Sequence, residues 1–386
     1  MRNVAYFSNQ FAAKDGHGIA TYAHHLFEAM QGIENRENLI PVAAWSNRSE
    51  ESFKKIQEHT GLRILPLGRK ITPLMWTFLG FPKIETLLKG RVDIVHAVAL
   101  GYPVATRRPF VVTVHDIGPL THPEYFSGDP PWIMERSLKQ AVKQASAMIC
   151  VSHATASELR TYVLEKYGQD IQDRIHVVHE GVGAEYFDEP DMSCLDELDQ
   201  LPQVGTPFIL SAGKISPRKN FQGVIQALGM LKERVNHHLV AVGGDGWDFE
   251  QVKEQVEECG LTGRVHFVGY VSNEQLRALY RRASVYVHAS LFEGFGLTNL
   301  EAMASGCPVV TSNCSSLPEV AGDAAILVDP KDVIDLSNGI SSVLDNPEIA
   351  HRLRSAGLER SRKFTWEKAA KRVTQVYDLI LNPEKS

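Results

Sequence analysis

Short apolar runs rich in β-branched residues alternate with helical stretches along the whole chain, and this alternation constrains the fold more than any other feature. Such runs, separated by helices, are typical of strands buried on both faces of a parallel sheet. In the first half the predicted strands are residues 4–8, 39–43, 93–97, 110–115, 147–151 and 175–178. In the second half they are residues 208–212, 238–242, 265–267, 285–288, 308–311 and 325–328. The sequence therefore predicts an α/β protein with two Rossmann-like, doubly wound parallel-sheet domains.

A stretch without apolar periodicity, residues 188–205, separates the two sets of predicted strands. It is acidic and contains prolines, which is typical of a linker between domains. We therefore predict an N-terminal domain over residues 1–190 and a C-terminal domain over residues 205–363, with a hinge in the linker. A chain of 386 residues, of which 44% are apolar, is long enough to bury two cores.

Charge, cysteine content and hydropathy limit the functional classes. A net charge of −6 argues against nucleic acid as the main partner, because binding to a phosphate backbone requires a basic domain. The five cysteines are odd in number and lack zinc-type spacing, which indicates reduced thiols. The N-terminus lacks a signal-peptide pattern, and no apolar run approaches the roughly 18 residues of a membrane span. We therefore expect a cytoplasmic protein.

The most informative segment for function is residues 291–330, where Glu293 and Glu301 flank a glycine-rich turn before a predicted helix. The turn consists of Gly294, Phe295 and Gly296, and Leu297 follows it as a further candidate. Glycines let main-chain N–H groups approach a ligand closely, and a helix start favours negative charge, so the turn suits a pyrophosphate. Carboxylates accept hydrogen bonds from vicinal hydroxyls, so the glutamates suit a sugar and a ribose. Together these features predict a nucleotide sugar as the ligand.

The same segment has a structural alternative. Residues 298–301 match a capping box, in which Glu301 accepts a hydrogen bond from the N–H at the start of the helix. Under that interpretation Glu301 stabilises the helix and binds no ligand.

Three basic residues, Lys214, Arg218 and Lys219, lie in residues 213–220 (GKISPRKN), between a predicted strand and a predicted helix. Ligands of doubly wound sheets bind at the carboxyl ends of the strands, and the following helix start also favours anions. We therefore predict that these side chains clamp a phosphate. The alternative is a solvated basic turn.

Two further candidates lie at strand ends in the first half. Gly16 and Gly18 follow the first predicted strand and allow close approach to a phosphate, although the alternative is a tight turn. Thr21 occupies the place of the third glycine of a dinucleotide fingerprint, which argues against NAD. His115, in VVTVHD, ends another predicted strand, where a histidine either binds a ligand or is a hydrogen-bonded structural residue.

Residues 291–330 resemble the donor-binding signature of retaining GT-B glycosyltransferases, especially glycosyltransferase family 4. The shared blocks are the Glu-x7-Glu spacing, EGFGL, EAMASGCPVV and SLPEVAGDAA. The RKN run and the T-x-H-D form are similar to those of bacterial O-antigen mannosyltransferases. The resemblance implies two Rossmann-like domains facing across a cleft, with the C-terminal helix, residues 364–386, packed back on the N-terminal domain.

The resemblance also implies roles for the candidate residues on the sugar and ribose. By position, Glu293 and His115 contact the transferred hexose, and Glu301 contacts the nucleotide ribose. The loop with Gly16 and Gly18 corresponds to the glycine-rich loop that faces the donor.

For the pyrophosphate, the resemblance implies contacts from Lys219 and Arg218, whereas Lys214 stands where many members have arginine. The turn that ends at Val271 corresponds to the place where the nucleobase rests on main-chain groups. Because the chain has no DxD-type pair at a strand end, we expect neither a metal nor another cofactor. Basic side chains and main-chain donors would then meet the charge of the leaving group.

The implied activity is retaining transfer of a hexose from a nucleotide sugar to a saccharide or lipid-pyrophosphate acceptor, in surface polysaccharide or glycoconjugate synthesis. GDP-mannose is the first choice of donor, and a UDP-hexose is the alternative. Two other classes are considered: a nucleotide-sugar epimerase of the same architecture and a catalytically silent sugar-binding subunit. The Glu-x7-Glu and EGFGL blocks favour the transferase.

Residues 51–91 carry eight basic and three acidic side chains in a chain that is negative overall, and they include LMWTFLGF. Basic residues around aromatic and aliphatic ones are typical of a segment that rests on anionic lipid or holds a lipid-pyrophosphate acceptor. One interpretation is therefore a peripheral contact with the inner face of the membrane. The other is an ordinary helix that packs its apolar face on the domain.

Overall fold

The computed structural model describes residues 1–12, 18–33, 37–46, 49–126, 131–198, 201–203 and 205–382. The chain divides into two compact units. Unit 1 comprises Met1–Pro123, Gly128–Gly181 and Trp366–Ser386, and unit 2 comprises Glu124–Ser127 and Val182–Thr365. The main boundary therefore lies at Gly181, before the predicted end of the first domain at residue 190.

Unit 1 is built around a parallel sheet. Its strands are β1 (Arg2–Phe7), β2 (Glu37–Ala43), β3 (Arg63–Ile64), β4 (Ile94–Ala97), β5 (Phe110–Val114), β6 (Ala147–Cys150) and β7 (Ile175–Val177). Its helices are α1 (Gly18–Gln31), α2 (Glu50–Thr60), α3 (Gly68–Phe78), α4 (Ile84–Leu87), α5 (Gly118–Thr121), α6 (Pro131–Gln144), α7 (His153–Tyr167) and α15 (Trp366–Leu381). The strand order is β3-β2-β1-β4-β5-β6-β7, and the pairings are parallel. The direction of winding reverses between β1 and β4, which is where doubly wound sheets bind ligands.

Unit 2 repeats the same plan. Its strands are β8 (Phe208–Ala212), β9 (His238–Val242), β10 (Val265–Gly269), β11 (Val285–His288), β12 (Val309–Ser312) and β13 (Ile326–Val328). Its helices are α8 (Phe221–Leu231), α9 (Phe249–Glu258), α10 (Asn273–Arg282), α11 (Leu297–Ala304), α12 (Leu317–Ala321), α13 (Val333–Leu344) and α14 (Pro347–Ser361). The strand order is β10-β9-β8-β11-β12-β13, again parallel, with the reversal between β8 and β11.

Short 3-10 helices complete the connections in both units. They lie at Asn9–Ala12, Pro123–Tyr125, Gln172–Arg174, Ala184–Phe187, Met192–Glu197, Pro217–Lys219 and Gly322–Ala324.

The two doubly wound sheets are confirmed, and each predicted strand has a counterpart. β5 (FVVTV) is buried at every position, as expected of a strand covered on both faces. β3 was not predicted, because its two residues are exposed and form no apolar run.

The C-terminal helix α15 packs on α1 in unit 1. Its buried residues include Ala370, Val373 and Tyr377, which share one face at helical spacing. The Trp366 ring stacks on His25 of α1, with centroids 5.4 Å apart. The helix thus returns to the N-terminal unit.

The prediction of a linker over residues 188–205 needs correction, because residues 188–198 fold onto α10 of unit 2. The main-chain N–H of Asp191 donates to Oε1 of Glu274 at 2.8 Å, and Nε2 of Gln275 donates to the main-chain oxygen of Cys194 at 3.3 Å. The chain passes between the units at Gly181–Val182, at Thr365–Trp366 and at both ends of the short segment Glu124–Ser127. The hinge stays a prediction.

Candidate functional site

Glu293 is the centre of a buried polar cluster in unit 2, in the loop between β11 and α11. Its Oε1 atom accepts hydrogen bonds from Nζ of Lys219 at 2.6 Å and from Oγ of Ser290 at 2.8 Å. Its Oε2 atom lies 2.5 Å from Nη1 of Arg218. Nε2 of His288, the last residue of β11, lies 3.1 Å from Oε1. The structure thus brings the two predicted pyrophosphate ligands, Arg218 and Lys219, to the predicted sugar ligand.

The charges in this cluster depend on one another. Burial favours a neutral Glu293, but the positive charges of Arg218 and Lys219 outweigh it and hold the pKa of Glu293 well below its usual range. Burial lowers the pKa of Lys219, and the charge of Glu293 opposes that effect. Glu293 is therefore a carboxylate that forms ion pairs with two cations, Lys219 and Arg218.

The loop from β8 to α8 positions the cations. Gly213 has a φ of +144°, and a Cβ atom there would lie 2.8 Å from Cε of Lys219, so only glycine leaves room for the lysine stem. Asn220 then starts α8 by accepting a hydrogen bond from the N–H of Gly223 at 3.2 Å. Lys214, also predicted to clamp phosphate, is exposed and does not contact Glu293.

The glycine-rich turn is held in place by hydroxyl groups. Gly296 has a φ of +105° at the N-terminus of α11, and a Cβ atom there would lie 2.6 Å from Leu317. Ser316 donates to the main-chain oxygen of Glu293 at 2.9 Å and to that of Phe295 at 2.8 Å. The side chain of Phe295 is buried. Gly294, which begins the turn, and Leu297, which follows it, are half-buried. The turn therefore presents a fixed main chain at the start of a helix.

Glu301 lies in α11 and is buried against two tyrosines. The hydroxyl of Tyr280 donates to its Oε2 atom at 3.4 Å, and the Tyr186 hydroxyl acts to lower the pKa of the same carboxyl group. Burial raises the pKa of Glu301 to about 7. No side chain caps the start of α11 at Gly296, so the capping-box alternative is wrong. Glu301 is therefore a buried carboxyl group beside tyrosine hydroxyls, and its contact with a ribose stays a prediction.

We expect Glu301→Gln to remove a pH-dependent loss of stability. The folded pKa of about 7 exceeds that of an unfolded glutamate, about 4.3, so this group stabilises the fold fully below pH ~4.3. That contribution, on the order of 3 kcal/mol, is lost as the pH rises through about 7. Thermal unfolding at pH 5 and pH 8 should show a smaller pH effect in Glu301→Gln than in the parent protein. An identical pH dependence in both proteins would contradict the assignment.

His115 lies directly after β5 in unit 1. Its Nδ1 atom is 3.1 Å from Oε1 of Glu180, and its Nε2 atom is 2.9 Å from the main-chain oxygen of Val98. The ring of Tyr22 stands perpendicular to the imidazole, with centroids 4.6 Å apart. The contact of His115 with a hexose stays a prediction.

The remaining candidates are less constrained by contacts. Gly16 lies outside the described residues, and Gly18 is the exposed first residue of α1. Val271 is half-buried and follows β10, next to Gly269 with a φ of +75° and the exposed Tyr270. Their roles stay predictions.

Sequence reasoning missed several residues of these clusters. His288 and Ser290 contact Glu293, Tyr186 and Tyr280 contact Glu301, and Glu180 contacts His115. A usable signal existed for His288, which ends a predicted strand as His115 does. Tyr186 offered none, because it lies more than a hundred residues from its partner.

Comparison with known proteins agrees with this architecture. Residues 197–360 match the family model "Glycosyl transferases group 1", and residues 16–186 match "Glycosyltransferase Family 4". The chain is 34% identical over 272 residues to O-antigen chain mannosyltransferase B of Escherichia coli, which is 70% of each chain. It is 31% identical over 309 residues to D-inositol 3-phosphate glycosyltransferase of Xylanimonas cellulosilytica, covering 75% of this chain and 72% of that protein.

Among solved structures, HepE of Anabaena in complex with UDP and glucose superimposes with a TM-score of 0.74 at 18% identity, over 98% of this chain and 100% of that one. The two sheets and the matched models define the class of this protein, which is a glycosyltransferase of the GT-B type. The chain belongs to the group 1 glycosyltransferases, with a family 4 region in its N-terminal half.

Proposed function

We propose that the protein transfers a hexose, with retention of anomeric configuration, from a nucleotide sugar to a saccharide or lipid-linked acceptor in surface polysaccharide synthesis. Mannose from GDP-mannose is the first candidate. The observation that carries the proposal is the cluster of Glu293 with Lys219 and Arg218 beside the glycine-rich turn. The mannosyltransferase relative from Escherichia coli supports the choice of sugar, and the UDP complex of HepE supports a UDP-hexose as the alternative.

In the proposed reaction, the bond between the anomeric carbon and the donor phosphate breaks through an oxocarbenium-like state. Negative charge grows on the departing diphosphate, and Lys219, Arg218 and main-chain N–H groups at the start of α11 stabilise it. The departing phosphate assists removal of the proton from the acceptor hydroxyl. Glu293 need not act as a nucleophile, unlike the carboxylate of a retaining glycosidase, because it holds the cations and binds sugar hydroxyls.

A panel of donors tests the proposal. GDP-, UDP- and ADP-sugars are compared by the shift in melting temperature, and any product formed with a saccharide acceptor is identified by mass analysis. Stabilisation by GDP-mannose alone is the expected result, and stabilisation by a UDP-sugar alone would replace mannose with the alternative. Isomerisation of the donor in the absence of an acceptor would instead indicate an epimerase. Binding of a donor without any turnover would indicate a catalytically silent subunit.

Transfer is expected to continue in the presence of EDTA. In the proposed mechanism, protein cations and main-chain donors carry the charge that a divalent ion carries elsewhere. The measurement is the initial rate with and without chelator, in enzyme first dialysed against it. Loss of activity on chelation, with recovery on adding a divalent ion, would overturn this part of the proposal.

A peripheral membrane contact belongs to the same proposal and rests on α3. One side of α3 packs in the core through Thr72 and Trp76, whereas Ile71, Leu74 and Phe78 are at least half exposed. The helix therefore has one apolar side in the core and a second apolar side that is exposed. A surface helix of a monomeric protein typically has only the first. The alternative from the sequence, simple packing on the domain, accounts for only one of these sides.

The exposed apolar surface continues beyond α3. Leu79 and Phe81 follow the helix and are exposed, and so is Trp132 of α6. The Arg136 guanidinium, one turn after Trp132, lies 4.4 Å from the centroid of the Phe78 ring. Aromatic and aliphatic side chains with adjoining basic groups fit the interface of an anionic bilayer. No helix in the described part of the chain is long and apolar enough to cross a membrane.

We expect the pair of changes Leu74→Ser and Phe78→Ser to reduce vesicle binding by about 10-fold or more, since each side chain contributes about 1.5–3 kcal/mol when buried. Sedimentation with vesicles that contain phosphatidylglycerol measures binding, and phosphatidylcholine vesicles test the need for anionic lipid. Met230→Ser with Ile334→Ser is the matched control, because those exposed apolar residues lie in unit 2. Equal binding by both double variants would contradict the membrane contact, and a change in oligomeric state would assign the surface to a second copy of the chain.

A further inference from the structure

His115 is held on several sides by residues of unit 1 that are themselves fixed. Glu180 lies at Nδ1, the main-chain oxygen of Val98 lies at Nε2, and the Tyr22 ring stands perpendicular to the imidazole. Glu180 is 6% exposed, and Tyr22 is fully buried. The orientation of the imidazole is therefore set by side chains with little freedom to move.

These contacts also determine what His115 can do. A main-chain oxygen only accepts hydrogen bonds, so Nε2 carries a hydrogen and donates it to Val98. At Nδ1, the shared hydrogen lies between the imidazole and the carboxyl group of Glu180. Whichever of the two holds it, neither ring nitrogen has a free lone pair for a substrate hydroxyl. In this geometry His115 acts through its position and polarity and not as a general base.

Tyr22 is anchored by a buried chain of polar groups. Its hydroxyl lies 3.2 Å from Oγ1 of Thr113, which lies 2.8 Å from Nε2 of His96. Nδ1 of His96 lies 2.6 Å from the hydroxyl of Tyr377 in α15. Burial lowers the pKa of His96 to about 3, so its ring is neutral, with one donor and one acceptor nitrogen. Because hydroxyls both donate and accept, both nitrogens are satisfied, and the chain connects α15 to the residue that packs on His115.

We propose that Glu180 and Tyr22 are positioning residues that hold His115 in the orientation needed for hexosyl transfer. Glu180 sets the rotation of the ring through Nδ1. Tyr22 sets its plane, and Thr113, His96 and Tyr377 hold Tyr22 in place. This inference rests on the proposed function and on the contact of His115 with the transferred hexose that the family resemblance implies.

Two conservative variants test the inference. Tyr22→Phe removes only the hydroxyl anchor, and Glu180→Gln keeps an oxygen that accepts from Nδ1 but removes the charge. Tyr167→Phe is the matched control, because in the part of unit 1 that the structure describes its buried hydroxyl has no hydrogen-bond partner. The measured quantities are kcat and KM for transfer, the Kd of the bare nucleoside diphosphate and the melting temperature.

We expect Tyr22→Phe to lower kcat by about 10-fold or more, since small misplacements of a reacting group are costly, with nucleotide Kd unchanged. Glu180→Ala should lower kcat further than Glu180→Gln, whose amide oxygen partly restores the contact. Tyr167→Phe should keep the parent kcat and Kd. A uniform fall in melting temperature with unchanged kcat would assign Tyr22 and Glu180 to folding alone and overturn the inference.

Spectra of protein labelled with ¹⁵N in its histidines give a readout that does not depend on turnover. The His115 signals are assigned by their absence from His115→Ala. We expect Tyr22→Phe and Glu180→Ala to shift them and Tyr167→Phe to leave them in place. Unshifted His115 signals in both variants would overturn this inference and leave the proposed function standing. Full transfer by Tyr22→Phe and Glu180→Gln, together with an inactive His115→Ala, would have the same meaning. Full transfer by His115→Ala would overturn the proposed role of His115 and this inference with it.

Discussion

Replacing His115 with alanine is expected to lower the rate of hexosyl transfer by roughly 10²-fold, the usual cost when a reacting group is misplaced by about 1 Å. His115 belongs to unit 1, whereas Glu301, Lys219 and Arg218, expected to hold the ribose and the pyrophosphate, belong to unit 2. Binding of the bare nucleoside diphosphate should therefore be nearly unchanged. Steady-state transfer rates and calorimetric nucleotide binding, measured on the same preparations, separate the two effects.

His59→Ala is the control for this experiment, because His59 is an exposed histidine of unit 1, at the end of α2. It should alter neither quantity. Parallel losses of transfer and nucleotide affinity in His115→Ala would show a general disturbance of the protein, contrary to a contact with the hexose.

Replacing Lys219 with alanine is expected to lower kcat by about 10²–10³-fold, the cost of removing one donor that meets developing negative charge. The charge on the diphosphate grows as the glycosidic bond breaks, so turnover should suffer more than donor binding. Single-turnover rates and the Kd of the intact donor provide the comparison.

Lys253→Ala is the matched control, because Lys253 is an exposed lysine of α9 in unit 2 and carries no predicted contact with the donor. It should change kcat by less than a few-fold. Equal losses of kcat and of donor affinity in Lys219→Ala would reduce Lys219 to an anchor for the bound donor. The melting temperature of Lys219→Ala is part of the same test, because the change leaves Glu293 buried with a single cationic partner.

Much of the fold could be predicted from the sequence, because strands buried on both faces must be continuous apolar runs. This logic locates β5 and β12, and it fails for β3, whose two exposed residues carry no such signal. It also fails for the supposed linker. There, polar side chains and main-chain groups of residues 188–198 bond to α10 at sites such as Glu274, and hydropathy does not report those contacts.

The candidate site was predictable only in part. Glycines with positive φ and charged residues at strand ends form patterns within a few neighbouring positions of the sequence. The turn at Gly296 and the loop before Asn220 could therefore be located from the sequence. Pairings between strand ends have no local pattern. Glu293 meets Lys219 from 74 positions away, and His115 meets Glu180 from 65 positions away. Which of these distant residues meet is determined by the order of the strands in each sheet.

Glu293 gives the donor site its own counterion. Because this carboxylate already offsets one of the two positive charges of Lys219 and Arg218, another anion gains less from the pair than it would from two unpaired cations. Free inorganic phosphate would merely exchange one ionic contact for another. In the proposed function, a nucleoside diphosphate sugar also engages the main chain of the turn and, through its hydroxyls, the carboxyl groups of Glu293 and Glu301. On that proposal, the cluster favours a ligand that supplies both charges and hydroxyls over a small anion that supplies charge alone.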